Sequence, residues 1–213
     1  MKHLLIILTL LISFSSFGQS AEEYLQSGDA KAFAKDYKGA INDYTEAIFL
    51  NRKNFEAYQQ RGFVKTQMDD YKGGILDFTY AIKLDPINSI YSYVYRALAK
   101  VDLNDHKGAI VDFTQAIELL PTFDLYNYGA KSKAYLRDHK GAISDYTKAL
   151  ELKRKSSLPP LVANINDIPT SYIYYNRAIS KFYINDLTGA CEDAKKTEEL
   201  GQPFADMIKA ACN

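Results

Sequence analysis

Apolar and polar positions follow a helical period through most of the chain, and one such segment recurs. Residues 36–48 read DYKGAINDYTEAI, in which the apolar side chains fall on one face of an α-helix. Similar segments occupy 70–82, 105–117 and 138–150, and a weaker copy occupies 186–200. The steps between the starts of successive copies are 34, 35, 33 and 48 residues. The pattern therefore predicts a repeat of about 34 residues, with one insertion before the last copy.

Each copy begins with an aspartate, and a second helical segment precedes it. The aspartates are Asp36, Asp70, Asp105, Asp138 and Asp186. An aspartate before an apolar helical run is typical of an N-cap, whose carboxylate accepts hydrogen bonds from the free amides of the next turn. In the preceding segment a tyrosine recurs at one position, as Tyr24, Tyr58, Tyr93, Tyr126 and Tyr174. Each copy is therefore predicted to be a hairpin of two helices.

Charged residues also recur at fixed positions in every copy. The first helices carry Lys31, Lys65, Lys100, Lys133 and Lys181. The second helices carry Asp43, Asp77, Asp112, Asp145 and Asp193. We expect a ladder of ion pairs between adjacent helices, which Arg61, Arg96 and Arg177 join four residues before their lysines. As surface pairs, each would contribute about 0 to 1 kcal/mol to stability.

Small and aromatic residues form two further columns. The small residues are Ala40, Gly74, Ala109, Ala142 and Ala190, which allow two helices to cross closely. The rings are Tyr44, Phe78, Phe113 and Tyr146, which we expect to fill the space between neighbouring hairpins. The fifth copy has Ala194 at the ring position and Thr197 at the next small position, so it should pack differently on its far side.

In combination these columns resemble the tetratricopeptide repeat (TPR) family. Residues 55–88, FEAYQQRGFVKTQMDDYKGGILDFTYAIKLDPIN, match the family pattern almost throughout. They carry its characteristic residues as Tyr58, Gly62, Tyr71, Phe78, Ala81 and Pro86. The resemblance covers about residues 21–200. It implies an all-α fold, a right-handed superhelical solenoid of five hairpins plus a C-terminal capping helix.

The first twenty residues, MKHLLIILTLLISFSSFGQS, have the pattern of a secretory signal peptide. A basic start at Lys2 precedes an apolar run of about 11 residues, which is shorter than the ~20 that a membrane-spanning helix needs. Cleavage before Gln19 is expected, and it would place the mature chain in an exported compartment, periplasmic or secreted. It would leave 25 basic against 26 acidic residues, a balance that gives no electrostatic footprint for nucleic acid or for an acidic membrane surface.

The predicted organisation follows from the repeat and its flanks. It comprises a signal peptide at 1–18, repeats at 21–54, 55–88, 89–122, 123–152 and 170–200, an inserted loop at 153–169 and a capping helix at 202–213. Prolines at 159, 160 and 169 argue against a helix in the insertion. The loop is either a solvated spacer or a functional loop that touches the groove or a partner.

Two cysteines, Cys191 and Cys212, flank the predicted turn before the capping helix. Two antiparallel helices joined there would bring both cysteines to the same level. In an oxidising compartment the favoured interpretation is a disulfide that fixes the cap, and the alternative is two unpaired thiols.

The sequence offers no constellation for catalysis. His106 and His139 occupy the repeat position that Tyr37 and Tyr71 hold in earlier copies, which indicates packing at a helix start. No metal-ligand spacing, nucleophile motif or phosphate-binding glycine loop is present in the sequence. We therefore expect no cofactor, no metal and no enzymatic activity.

In the family, the first helices of successive repeats line a concave groove that binds segments of other proteins. The positions that the resemblance assigns to this groove differ between copies, and seven of the 17 tyrosines fall there, all in copies three to five. The predicted groove residues are Phe63, Tyr91, Tyr95, Asn127, Tyr128, Lys131, Tyr135, Tyr172, Tyr175, Asn176, Phe182 and Tyr183. Tyrosine combines a broad apolar face with a hydrogen-bonding tip, which suits protein binding.

The resemblance thus implies a non-enzymatic protein-interaction scaffold of unknown partner. One alternative is that some of these rings only pack between first helices. A second is structural self-assembly of the chain in the cell envelope. A third, weaker one is carbohydrate binding on the tyrosine rings, which the lack of a compact carboxamide and carboxylate cluster disfavours.

One family ligand can be tested against the sequence directly. The clamp that grips chaperone C-terminal carboxylates uses lysine, asparagine and arginine across three first helices. The matching positions here hold Leu25, Asp29, Phe63, Tyr91 and Tyr95. None of them fits, so the sequence argues against that ligand.

Overall fold

The computed structural model of the protein describes residues 19–155, 168–203 and 206–212. The predicted signal peptide and most of the predicted insertion lie outside these ranges. The described residues form eleven α-helices and no strand. They are α1 Ala21–Phe33, α2 Tyr37–Leu50, α3 Phe55–Gln67, α4 Tyr71–Leu84, α5 Ile90–Asp102, α6 His106–Leu119, α7 Phe123–Tyr135, α8 His139–Lys155, α9 Thr170–Tyr183, α10 Leu187–Glu199 and α11 Asp206–Ala211. Within these ranges, every helix is too short or too polar to cross a membrane.

The first ten helices pair as five hairpins, α1 with α2 through α9 with α10. Each second helix also packs against the first helix of the next hairpin, so the hairpins form one continuous solenoid. A single hairpin cannot bury its apolar face alone, and stacking supplies the missing contacts. First helices of successive hairpins approach each other, as α1 does with α3, α3 with α5 and α7 with α9. The first helices therefore lie on the inner side of the array, where the resemblance places the groove.

The turn inside each hairpin is built by the predicted N-cap aspartate. The Asp36 carboxylate accepts a hydrogen bond from the Gly39 amide at 3.0 Å, and the Asp36 amide donates back to the Lys31 carbonyl at 2.8 Å. One residue thus closes α1 and begins α2. The prediction of five aspartate N-caps is confirmed, because the equivalent amides of Gly73, Gly108, Gly141 and Gly189 make the same bond.

The residue before each N-cap has a left-handed backbone. These residues are Lys35, Asp69, Asn104, Arg137 and Asn185, with φ between 61° and 64°. Glycine is the usual residue at this place in a helix-terminating turn, and Asn or Asp tolerate it better than other side chains do. Since none of the five is glycine, the sequence pattern did not reveal this conformation.

The ring and small-residue columns form the core as predicted. Tyr44, Phe78, Phe113 and Tyr146 are all buried. Each ring fits because the first helix that faces it has a small residue at the point of contact. A Cβ atom added to Gly28 would lie 2.6 Å from the Tyr44 ring, closer than atoms can approach. The core of one hairpin continues into the next, since Phe78 and Phe113 stack on tyrosines of the following first helix at 6.1 and 5.9 Å.

The charged ladder exists, but its placement on the surface was wrong. Asp112 is only 1% exposed and accepts three charged hydrogen bonds. Two come from the Nε and Nη2 atoms of Arg96, at 2.9 and 2.6 Å, and one comes from the Nζ atom of Lys100, at 2.7 Å. The Arg96 Nη1 atom donates to Thr79 of the previous hairpin at 2.9 Å. Because small residues let the two helices approach closely, the carboxylate lies between them and is shielded from water.

Hairpins 2 and 5 repeat this arrangement, with Asp77 and Asp193 as the carboxylates. Hairpin 1 has Ser27 at the arginine position, and its hydroxyl donates to Asp43 at 2.6 Å. The pKa of Asp43 is lowered; burial alone would raise it, but the hydrogen bonds from Lys31 and Ser27 outweigh burial.

Hairpin 4 has the least complete ladder. Gly129 stands at the arginine position, so among the described residues Asp145 is bonded by Lys133 alone, at 2.6 Å. Burial raises the pKa of Asp145, and the hydrogen bond from Lys133 only partly opposes this. The carboxylate of hairpin 4 is therefore less well compensated than those of its neighbours.

Helix α8 ends later than the repeat boundary at residue 152 predicted. It continues to Lys155, whose ammonium pairs with Glu151 at 2.6 Å. Lys153 lies over the ring of Phe123 at 4.5 Å and donates to the backbone carbonyl of Ile168. The prolines that oppose a helix begin only at 159, and these contacts favour the additional residues.

The C-terminal helix covers the end of the array. Ile208 of α11 is fully buried against a cluster that includes Ala178, Ala190 and Ala194 of hairpin 5. The fifth copy thus packs differently, as expected, since Ile208 takes the space that a ring fills elsewhere. The helix begins at Asp206 and so is shorter than the predicted 202–213.

A disulfide joins α10 to the end of this cap. Cys191 and Cys212 are bonded, with their Cα atoms 5.7 Å apart and a sequence separation of 21. In the chain-entropy picture, closing a loop of this size contributes about 3 kcal/mol. The bond therefore ties the end of the capping segment to α10.

Candidate functional site

In the described part of the chain, three pockets have tyrosines of the first helices in their walls. The aromatic pocket, of about 250 Å³, is lined by Gln59, Gln60, Phe63, Tyr91 and Tyr95. The turn pocket, of about 470 Å³, is lined by Ala134, Tyr135, Arg137, His139 and Tyr183. The cap pocket, of about 220 Å³, is lined by Ser171, Tyr172, Tyr175, Gln202 and Pro203.

The aromatic pocket lies between the first helices of hairpins 2 and 3. The rings of Phe63 and Tyr95 are 4.9 Å apart and tilted, and Tyr91 stacks with Tyr95 at 6.5 Å. Tyr95 is fixed from behind by the core ring Phe78. Burial, and then the neighbouring Tyr91, raise the pKa of Tyr95, so its phenol stays neutral. The rings form a preorganised apolar surface with hydroxyl groups at its edge.

Two glutamines complete the wall of the aromatic pocket. The Gln59 carbonyl oxygen accepts a hydrogen bond from the Ser92 hydroxyl at 2.9 Å, which orients the carboxamide across the junction between hairpins. The Gln59 amide nitrogen and the Gln60 carboxamide are then available as hydrogen-bonding groups beside the rings.

The turn pocket lies where the turns of hairpins 4 and 5 meet. Tyr183 stacks on His139 at 4.7 Å, and Tyr135 stacks on His106 at 3.8 Å. Both histidines therefore pack at helix starts, as predicted, and each supports a groove tyrosine of the next hairpin. Arg137 lines this pocket but was not among the residues predicted from the sequence. Its left-handed backbone places it in the turn, and no sequence signal marked that conformation.

The cap pocket is formed by hairpin 5 and the turn before α11. Lys131 of hairpin 4 holds its ammonium 5.7 Å from the ring of Tyr172, which makes a cation–π contact at the entrance. The wall residues Gln202 and Pro203 come from the predicted capping segment, which the sequence analysis did not assign to the groove.

Five predicted groove residues do not line these pockets: Lys131, described above, and four others. Tyr128 packs on the core ring Phe113, Phe182 packs with the core of hairpin 5, and the Asn176 amide donates to the Tyr172 carbonyl in its own helix. Asn127 is fully buried and offers no surface to a ligand. The start of its helix is covered because Ile168 and the extended end of α8 pack against it.

Charge divides the inner side into two parts. Outside the ladder, all charged residues of α1, α3 and α5 are acidic: Glu22, Glu23, Asp29, Glu56 and Asp102. Burial, and then the charge of Asp69, raise the pKa of Asp102. The turn and cap pockets instead have Arg137 and Lys131 beside them.

Comparison with solved structures identifies the fold. YrrB, described as a TPR protein with an unusual peptide-binding site, superposes with a TM-score of 0.74 at 18% identity, covering 95% of this chain and 96% of its own. MamA from Desulfovibrio magneticus RS-1 gives 0.72 at 16% identity, covering 87% and 97%. The first TPR of Spaghetti, bound to an HSP90 peptide, gives 0.53 at 22% identity, covering 55% and 94%.

These likenesses confirm the resemblance at the level of the fold: the chain is a TPR solenoid. No protein-family model matches the sequence, and no curated protein matches it.

Proposed function

We propose that the chain is a non-enzymatic scaffold that binds a segment of another protein along the tyrosine-lined inner side. The observation that carries the proposal is the row of three pockets, each with tyrosines from its first helices in the wall. A chain that lies along the inner side would meet them in succession. The TPR fold of the neighbours named above, two of which are described with a peptide site or a bound peptide, supports this proposal.

The test is an affinity capture with residues 19–213 as bait. The groove variant combines Tyr91→Ala, Tyr172→Ala and Tyr183→Ala, one exposed ring from each pocket. The matched control is Tyr80→Ala, an equally exposed tyrosine on a second helix. We expect one partner that the native bait and the control capture and that the groove variant loses. Equal capture by all three baits would contradict the proposal, provided that circular dichroism shows them equally helical.

We also propose that the mature chain functions outside the cytoplasm. The motifs at 1–18 motivate this, and the Cys191–Cys212 disulfide is the bond that an oxidising compartment would preserve. Expression of the full chain with a C-terminal tag tests it. An exported product that begins at Gln19 is expected, and a full-length cytoplasmic product with free thiols would contradict it.

Self-assembly is the second candidate function, and exposed apolar residues on the second helices favour it. Phe49, Leu76 and Val111 are all more than half exposed there. Light scattering on the mature chain, with Leu76→Lys and Val111→Lys as the paired variant, separates the candidates. A concentration-dependent oligomer that the paired variant abolishes would favour self-assembly over segment binding.

A further inference from the structure

The aromatic pocket has a composition that favours one kind of side chain. Its three rings are those of Phe63, Tyr91 and Tyr95, and the centroid of Tyr95 lies 4.9 Å from that of Phe63 and 6.5 Å from that of Tyr91. The faces of such rings attract apolar groups through contact area and attract cations through the ring quadrupole. The geometry alone therefore leaves an apolar chain and a cationic chain as occupants.

The surrounding charges decide between them. Glu56 lies one helical turn before Gln59 and Gln60, at the spacing that places residues on one helix face. Its carboxylate has no partner in the described part of the chain and is exposed. The neighbouring guanidinium groups of Arg61 and Arg96 are bonded to the ladder carboxylates and do not neutralise it.

The charges that these first helices carry outside the ladder have the same sign, whereas Arg52 and Lys53 in the turn before α3 are basic. No basic residue of α1, α3 or α5 lies outside the ladder, whereas five acidic residues do. An anionic side chain would be repelled there, and an apolar one would gain nothing from the carboxylates. The turn pocket, where Arg137 forms part of the wall, shows the opposite character and serves as an internal contrast.

We propose that the aromatic pocket binds the cationic side chain, lysine or arginine, of the segment that the scaffold holds. The alkyl part of that side chain would pack on the three rings, and its charged end would reach toward Glu56. This inference rests on the proposed function, because it assigns the chemistry of one contact along the same inner side.

Nuclear magnetic resonance with ¹³C-labelled tyrosine rings tests the pocket without a known partner. The probes are three capped tripeptides, acetyl-Gly-X-Gly-amide, in which X is lysine, norleucine or glutamate. Single Tyr→Phe variants assign the signals of Tyr91 and Tyr95. We expect the lysine probe to shift both signals and to bind roughly three- to tenfold more tightly than the norleucine probe, with the glutamate probe weakest.

Two variants keep the test specific. Tyr91→Leu removes one exposed π face and should abolish the lysine preference, whereas Glu56→Gln should reduce it by about threefold or less. The preference should also fall as salt is added, because Glu56 is exposed. Equal binding of lysine and norleucine, tighter binding of glutamate, or no shift of Tyr91 and Tyr95 with any probe would each overturn the proposal.

The outcome is independent of the capture experiment. A partner that depends on the groove tyrosines, together with a failed lysine preference, would leave the scaffold function in place and remove only the cationic contact. Loss of the partner dependence would instead remove the scaffold function itself.

Discussion

Hairpins 3 and 4 have the same fold and adjacent places in the array, yet they differ at two internal positions. Hairpin 3 has Arg96 in the ladder and Asn104 at the left-handed turn position. Hairpin 4 has Gly129 and Arg137 at the corresponding positions. One hairpin therefore has a fully bonded buried carboxylate and a residue suited to its turn, and the other has neither.

Of these two positions, one belongs to the buried ladder, and the other contributes to a pocket wall in hairpin 4. Hairpin 4 contributes Tyr135 and Lys131 to the inner side, and its turn residue Arg137 is part of a pocket wall. The position where a turn-favouring residue would stabilise the hairpin is occupied by one that faces a pocket. The left-handed turn position and the pocket wall thus coincide at a single residue, and exchanging residues at this position tests whether the two roles compete.

The largest expected effect comes from removing the buried carboxylate of hairpin 3. Asp112→Asn keeps the volume but leaves Arg96 and Lys100 close together without a counter-charge. Removing one partner of a buried ion pair destabilises by about 3 to 5 kcal/mol. In hairpin 4, Asp145→Asn frees only Lys133, and it also removes a carboxylate whose pKa burial has raised, so a loss of roughly 1 kcal/mol is expected.

Urea unfolding followed by circular dichroism measures both losses. The two variants serve as controls for each other, since each makes the same chemical change at the same repeat position. Equal losses would show that the arginine of the ladder adds nothing to the anchoring of its carboxylate.

The second effect is a gain, obtained by completing the ladder of hairpin 4. A Cβ atom at Gly129 would meet Asp145 Oδ2 at 3.5 Å and Phe113 Cβ at 4.0 Å, which are ordinary contacts. In the Gly129→Arg variant, the guanidinium should donate to Asp145 and also reach Thr114. Thr114 occupies the position of the threonines that accept a hydrogen bond from the other ladder arginines. Gly129→Ala is the matched control and should gain about 1 kcal/mol from helix propensity alone. The arginine should add about 1 to 2 kcal/mol beyond that.

The additional gain should depend on pH in a defined direction. In the native chain the pKa of Asp145 is raised by burial, and a new guanidinium beside it would lower that pKa. A lowered carboxyl pKa contributes stability above the pKa of the unfolded state, and this contribution is lost as the pH falls. The difference between the arginine and alanine variants should therefore be largest near pH 7 and should shrink as the pH falls, first through the raised pKa of Asp145 in the alanine variant and then through its lowered pKa in the arginine variant. A difference that is constant with pH would contradict the ion-pair explanation.

Much of this fold could be predicted from the sequence, because most columns meet the same neighbours in every copy. Asp36 caps a helix and Tyr44 fills the core for local reasons that repeat along the chain. The burial of the ladder could not be predicted from its spacing, since spacing does not reveal how closely the small residues let the helices approach.

The candidate site was less predictable, because the ends of the array and the insertion interrupt the repeat. Asn127 shares its position with Gln59, which lines a pocket, and with Val94, which is fully buried, so the repeat position alone does not assign Asn127 to the groove. Ile208, Gln202 and Pro203 belong to no repeat, so no column marked their contacts. Sequence reasoning identified the tyrosines of all three pockets and missed the residues that complete two of them.

The smallest expected effect concerns the left-handed turn position, which links stability to the pocket. Lys35 in hairpin 1 has φ 62° and is part of no pocket described above, so Lys35→Asn should stabilise by about 0.5 to 1 kcal/mol. The reciprocal change in hairpin 3, Asn104→Lys, should destabilise by a similar amount, and urea midpoints measure both. Opposite signs would establish that the turn conformation sets the preference. In that case asparagine at position 137 would make the protein more stable than Arg137 does. The presence of arginine would then be explained by its place in the wall of the turn pocket. Equal signs, or no effect in either hairpin, would remove that reason to regard Arg137 as more than a turn residue.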